Sequence, residues 1–354
     1  MLFFTTTVLV FIGLVMVFSS SGVYAMEKYN DAYYFLKRQM VWVALGTMVM
    51  LATRKMDYRY LEKCTYYIMG ITFLMLIAVM MPGLGKEVGG ARRWLMLGSF
   101  AFQPSELAKF ALVLFIAKSL VKRSDQLKNF AYGYLPKLIV LGFFFVPILK
   151  QPDFGTAMII CTVTFTMLMI AGLRLKFLIY SILAIIPLIV SEIINAEYRM
   201  RRIIAFLEPW EHQSNESFQA IQSFYAFGRG GIFGTGIGGS SQKLFYLPEA
   251  HTDFIFSVIG EELGFVGTLI IVLLFSILIW RGFIIAYRAK DPFGTHVAIG
   301  LTLLIGIQAF TNMGMAVGLL PTKGLTLPLI SMGGSSLIVL MLSIGVLLNI
   351  SEQP

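Results

Sequence analysis

Charge is scarce in this chain, so the places where it gathers are the places to look for chemistry. Leu244–Gly264 reads LFYLPEAHTDFIFSVIGEELG and holds Glu249, His251, Asp253, Glu261 and Glu262 in one short stretch. The stretch lies where a long polar segment gives way to an apolar run. Ionisable groups at the mouth of an apolar helix are costly, and they persist where they are paired or functional. A partly desolvated carboxylate with other acids beside it holds its proton more tightly, which suits a general base. Asp253 is the candidate for that role, with His251 and Glu249 near enough in sequence to tune it. The plainer alternative is a helix cap, since Thr252 or Asp253 before a helix is ordinary. At ~100° per residue, Ser257, Gly260 and Gly264 fall within about 40° of Asp253, a small face that another backbone or a ligand could approach.

Other segments carry unusual polar residues. GGARRW (Gly89–Trp94) offers Arg92 and Arg93, either as interfacial anchors or as a phosphate clamp. FQPSELAK (Phe102–Lys109) spaces Gln103, Glu106 and Lys109 by three, so Glu106 and Lys109 can pair on one helix face. That pair reads equally as structural glue or as the lining of a wet cavity. KQPDFGT (Lys150–Thr156) presents Gln151 and Asp153, and Asp153 with Thr156 fits a helix cap. SMGGSS (Ser331–Ser336) suits close helix packing. GRGGIFGTGIGG (Gly228–Gly239) contains G-x-G-x-x-G, but no βαβ unit surrounds it, so a nucleotide-binding loop is excluded and a loop folding back over the membrane surface is expected. His212, His251 and His296 lie far apart, and Cys64 and Cys161 stand alone, so no metal site and no disulfide are expected.

The elements that must position these groups are membrane spans. The 354 residues are 57% hydrophobic and 13% charged, with mean hydropathy +0.79; soluble domains carry about 25% charged residues. The fold class expected is an all-α integral membrane protein, a single polytopic domain over 1–354. Ten spans are expected, near 3–24, 39–53, 65–82, 103–120, 135–149, 155–173, 176–194, 254–280, 294–320 and 327–349. The N-terminal run lacks a basic leader and reads as the first span, not as a removed signal. Loops after spans two, four, six and eight hold 14 Lys and Arg, against 8 in the short loops on the other side. That bias places both termini in the cytoplasm and the large loop 195–253, between spans seven and eight, outside. GGARRW, FQPSELAK, KQPDFGT, the 195–253 loop and PTKGLTLP (Pro321–Pro328) then converge on the outer face, while the cytoplasmic loops look basic, short and plain. The net charge of +9 falls largely in loops, so nucleic acid is not an expected partner.

Taken together, YFLKRQ (Tyr34–Gln39), GARRW, FQPSELAK, QPDFGT, the glycine-rich loop, LPEAHTDFIFSVIGEELGF, GLLPTKGLTLP and SMGGSS resemble the SEDS family (shape, elongation, division and sporulation) of bacterial cell-wall polymerases. The match runs in order over nearly the whole chain. PTKGLTLP and the EAHTDF segment look most like the division member, with the elongation member the close alternative. Met332 stands where the family usually has Tyr. The resemblance implies a ten-span peptidoglycan glycosyltransferase of the bacterial cytoplasmic membrane that polymerises lipid II at the outer face. It implies a class B penicillin-binding protein as transpeptidase partner, beside other divisome or elongasome membrane proteins. It makes Asp253 the essential acid and puts Arg93, Glu106, Lys109, Gln151, Asp153, His251 and Lys323 along the substrate cavity. No cofactor is required by sequence; a divalent cation (Mg or Mn) shared with the substrate is an option. A lipid II flippase is the alternative from another class.

Overall fold

The computed structural model describes residues 1–88, 91–98, 100–122, 125–194, 200–201, 204, 206–212, 217–242, 250–322 and 324–353. Among them, ten long helices stand at the ten expected spans. They are α1 (Leu2–Tyr29), α2 (Tyr34–Lys55), α3 (Arg59–Met80), α4 (Pro104–Lys122), α5 (Leu135–Lys150), α6 (Phe154–Ile170), α7 (Leu175–Ile194), α9 (Ile255–Arg288), α10 (Pro292–Ala316) and α11 (Gly334–Glu352). A further helix, α8 (Phe218–Gly230), lies within the stretch expected as a long loop. Seven of the helices are long and apolar enough to cross a membrane. The chain is a multi-pass membrane protein, with large exposed apolar side chains such as Phe4, Met48, Leu74 and Leu273 on its outer helices.

Local chemistry sets the helix ends. Asn30, in the left-handed region (φ 54, ψ 28), closes α1. Asp153 caps α6 by accepting from the Thr156 amide at 3.2 Å, and Asp291 caps α10 by accepting from the Gly294 amide at 2.9 Å, with Pro292 behind it. The tenth span, α11, begins at Gly334, not near 327, so SMGGSS straddles its start. Small residues let α2 and α11 pack closely: a Cβ on Gly46 would come to 3.0 Å from the Met341 side chain.

Two further features depart from the expected pattern. The segment before α4 forms a three-stranded antiparallel sheet, β1 (Gly85–Val88), β2 (Ala91–Leu97) and β3 (Phe100–Phe102), with β2 in the middle. These strands are too short to announce themselves beside spans of about 20 residues. The second departure is in α9, which is broken at Gly264 (φ 67, ψ −163), a conformation open essentially to glycine alone. The glycine-rich loop docks into this break. Thr235 and Gly236 amides donate to the Glu261 and Glu262 carbonyls, each at 3.0 Å, while Phe265 and Val266 amides donate to Gly231 and Ile232 carbonyls at 2.9 and 3.1 Å. Both broken ends are thus satisfied by protein, as irregular backbone at membrane depth requires. Gly230 is needed for the approach, since a Cβ there would stand 1.9 Å from the Gly260 carbonyl oxygen. The loop therefore pairs with the helix break while most of its own residues stay exposed.

Candidate active site

Asp253 sits in a turn that immediately precedes α9. The residue at the N-cap position is Phe254, whose side chain makes no capping hydrogen bond, so neither Thr252 nor Asp253 holds that position. The small face of α9 is used for packing against α8. Ser257 and Ser223 hydroxyls meet at 2.6 Å, and Gly260 lies under the Phe227 ring. Glu261 and Glu262, fully buried, are also absorbed by structure. Glu262 accepts from the Ser19 hydroxyl at 2.6 Å, and Glu261 accepts from the Ser240 hydroxyl and from the Ser241 amide at 3.0 Å, with Arg229 at 3.9 Å.

What holds Asp253 is a clamp on the backbone of its turn. Three successive carbonyls are each taken by a different group: His251 by the Met332 amide at 3.0 Å, Thr252 by the Ser331 hydroxyl at 2.5 Å, and Asp253 by Asn312 Nδ2 at 2.8 Å. The His251 ring packs against Phe35 (centroids 4.7 Å apart) and Tyr24 (6.2 Å). The Asp253 side chain is half-buried. Its Oδ2 lies 3.2 Å from where a Cβ on Gly324 would stand, so the 321–327 loop runs directly past the carboxylate. Lys323 and Glu249 lie outside the described residues.

The other expected site residues assemble around the same end of the bundle. Glu106 and Lys109 pair at 2.8 Å and are both buried. The Lys109 ammonium also donates to Gln308 Oε1 at 2.8 Å, and Gln308 Nε2 donates to the Thr326 carbonyl at 3.1 Å. Asp153, besides capping α6, accepts from Gln103 Nε2 and the Ser105 hydroxyl, each at 3.1 Å, tying α6 to the start of α4. Arg93, on β2, donates through Nε to the Gln151 carbonyl at 3.0 Å and through Nη2 to the Pro152 carbonyl at 2.6 Å. Arg92 pairs instead with Glu87 at 3.2 Å on the exposed side of the sheet. Gln151 Nε2 donates to the Leu76 carbonyl at 2.9 Å, while its buried Oε1 has no hydrogen-bond partner among the described residues. A chain of contacts therefore runs from Arg93 through the 151–153 turn, α4 and α10 to the loop beside Asp253.

Gln308 and Asn312 were not singled out by their sequence. The available signal was two amides one turn apart (i, i+4) in an otherwise apolar span, which a span-finding reading passes over. Among the described residues, no three His, Cys, Asp or Glu side chains gather to hold a metal. Among the described residues, a cation at Asp253 would have one carboxylate and would need substrate oxygens to complete its shell.

Fold and site define a polytopic helical membrane protein in which Glu106, Lys109, Asp153, Gln308 and Asn312 meet at the end of the bundle that carries Asp253. The model of the FtsW, RodA and SpoVE family of cell cycle proteins matches residues 1–354, and the chain belongs to that family. It is 46% identical over 341 residues to a probable peptidoglycan glycosyltransferase FtsW of Geobacter metallireducens, covering 96% of this chain and 91% of that one. It is 42% identical over 347 residues to stage V sporulation protein E of Bacillus subtilis, covering 98% and 95%. Among solved structures, one described as showing structural coordination of polymerization and crosslinking by a peptidoglycan synthase complex is 30% identical, with TM-score 0.81 over 99% of this chain and 96% of that one. The rod shape determining protein RodA of Thermus thermophilus is 27% identical, with TM-score 0.73 over 99% and 95%.

Proposed function

We propose that this chain is a peptidoglycan glycosyltransferase that polymerises lipid II at the outer face of the bacterial cytoplasmic membrane, for septal wall synthesis. The observation that carries the reading is the half-buried Asp253, in a turn held at three consecutive carbonyls, on a chain sharing 46% identity with a relative named for this activity. The acceptor's 4-hydroxyl attacks C1 of the donor sugar, the bond from C1 to the diphosphate oxygen breaks, and undecaprenyl diphosphate leaves. An α linkage becomes β, so one inverting displacement suffices. Asp253 takes the hydroxyl proton. The diphosphate is already a good leaving group, so a second carboxyl acid of the glycosidase kind is not needed.

Departing diphosphate needs positive charge. Arg93 is bonded to neutral carbonyls and so keeps its net charge, whereas Lys109 is neutralised by Glu106. Arg93 and Lys323 are therefore the proposed anion-stabilising pair, and Lys109 holds the architecture. Gln151 and Asp153 shape the turn on which Arg93 rests, and His251, with Glu249, orients the approach to Asp253. Asp253 would be the residue to hold a divalent cation, which would supply charge stabilisation for the departing diphosphate. A class B penicillin-binding protein is the proposed transpeptidase partner, and both termini face the cytoplasm. The test is glycan synthesis from purified lipid II by the reconstituted chain with a transpeptidase-dead partner and no other glycosyltransferase. Asp253→Asn is expected to stay folded and to make no glycan; full synthesis by that variant rejects the assignment.

A further inference from the structure

We infer that Asn312 is a positioning residue for polymerisation, setting the Asp253 turn and the 321–327 loop in register with each other through a single amide. The inference rests on the reading of Asp253 as the base. Asn312 is fully buried in α10, and its Nδ2 donates to two carbonyls from segments far apart in sequence, Asp253 at 2.8 Å and Leu325 at 2.6 Å. An amide nitrogen carries two hydrogens, so both acceptors are served at once. One turn earlier, Gln308 does the related task for the Thr326 carbonyl while accepting from Lys109. The same face of α10 thus fixes two adjacent carbonyls of the loop. Asn312 links that loop to the Asp253 carbonyl itself, as the Ser331 hydroxyl does one residue earlier by accepting from the Leu327 amide at 2.8 Å and donating to the Thr252 carbonyl, on a loop that passes beside Asp253 at Gly324.

A further observation separates this from ordinary packing. Asn312 Oδ1 is buried and has no partner among the described residues. A side chain retained for filling space alone would be replaced without loss by an apolar one of similar shape, since an unpaired buried acceptor is unfavourable. It is the donor half of the amide that is in use. The base must stand within hydrogen-bond reach of the acceptor hydroxyl. Misplacing it by about 1 Å is enough to cost on the order of 10²-fold in turnover.

The test measures kcat and KM for lipid II polymerisation by the reconstituted chain with its transpeptidase-dead partner, with thermal unfolding recorded for each variant. Asn312→Ala removes both donors and is expected to lower kcat by about 10²-fold with KM changed much less. Asn312→Ser keeps one donor in nearly the volume of alanine and is expected to fall between wild type and Asn312→Ala. A packing role predicts instead that Ser and Ala behave alike. Equal kcat for the two variants, a change confined to KM, or wild-type turnover in Asn312→Ala overturns the inference. So does loss of folding in both variants, which makes Asn312 structural only. Asp253→Asn is assayed alongside: if it polymerises normally, the reading of the base has failed. If it is inactive while Asn312→Ala is fully active, only the present inference falls.

Discussion

Two asparagines mark the two ends of the bundle. At one end Asn312 donates to the carbonyls of Asp253 and Leu325 and leaves its own oxygen without a partner among the described residues. At the other end Asn349, near the close of α11, donates to the Arg54 carbonyl at 2.7 Å and accepts from the Tyr58 amide at 3.0 Å. Around Asn349 the Tyr58 hydroxyl donates to Asp291, the residue that caps α10, and Arg54 pairs with Glu352 at 2.6 Å. Those groups join the end of α2 and the starts of α3 and α10 to α11. The end with plain, basic loops in the sequence is therefore also knotted by polar side chains, which corrects the expectation that such clusters belong to one end alone. The difference lies in what the polar atoms bind. Near Asn349 they close helix termini, and the amide of Asn349 is used on both sides. Near Asn312 they hold loops and the backbone of the turn that carries a half-buried carboxylate, and among the described residues they leave acceptors unspent. A transporter needs polar groups that lead across the bilayer; here the second cluster is consumed by helix ends.

The sharpest way to break the comparison is at Asp253. Asp253→Asn keeps the shape of the turn, since the three clamping contacts are to backbone, and removes the base. Polymerisation is expected to fall by about 10²–10⁴-fold, with thermal unfolding unchanged. The next largest effect is at the Glu106–Lys109 pair. Lys109→Met leaves Glu106 buried without its cation and is expected to cost about 3–5 kcal/mol of stability, whereas Glu106→Leu combined with Lys109→Met recovers most of it. Failure of the double variant to recover, read by thermal unfolding in detergent, would show that the charges hold more than each other. Smaller again is the helix break. Gly264→Ala places a Cβ 2.4 Å from the Gly234 amide nitrogen in a backbone region closed to alanine, and a loss of at least about 1–3 kcal/mol is expected. Proteolysis within 230–242 should rise with it, because the loop loses its seat.

Much of this was legible because charge is so rare in the chain. Asp253, Glu106, Lys109, Asp153 and Arg93 each stand out against apolar neighbours, and the ten spans follow from run length. The Asp153 cap was legible too, since its partner Thr156 is only three residues away. What stayed hidden depends on separation in sequence. The contact from Asn312 to Asp253 spans 59 residues and that from Ser331 to Thr252 spans 79, distances over which no periodicity speaks. The break at Gly264 was hidden for a related reason. A glycine inside an apolar run reads as a packing position, and only the docked loop, whose glycines looked like a separate motif, turns it into a helix end.

The knot at Asn349 yields the smallest expected effect and the control for the whole comparison. Tyr58→Phe removes the hydroxyl bond to Asp291 and leaves the ring in place, so a loss of about 1 kcal/mol in stability is expected, with polymerisation unchanged. The Tyr58 phenol is pushed up to about 12 by burial first and then by the Asp291 carboxylate that it faces. In the unfolded chain a phenol loses its proton near pH 10. The folded protein therefore binds more protons than the unfolded one between pH 10 and about 12, and the stability this contributes is whole below pH 10 and lost as the pH climbs through that window. Wild-type unfolding temperature should decline across it, and Tyr58→Phe should flatten the decline. A Tyr58→Phe protein that folds normally but polymerises poorly would show that the two ends act on each other, and the division between a knot for structure and a cluster for chemistry would then be wrong.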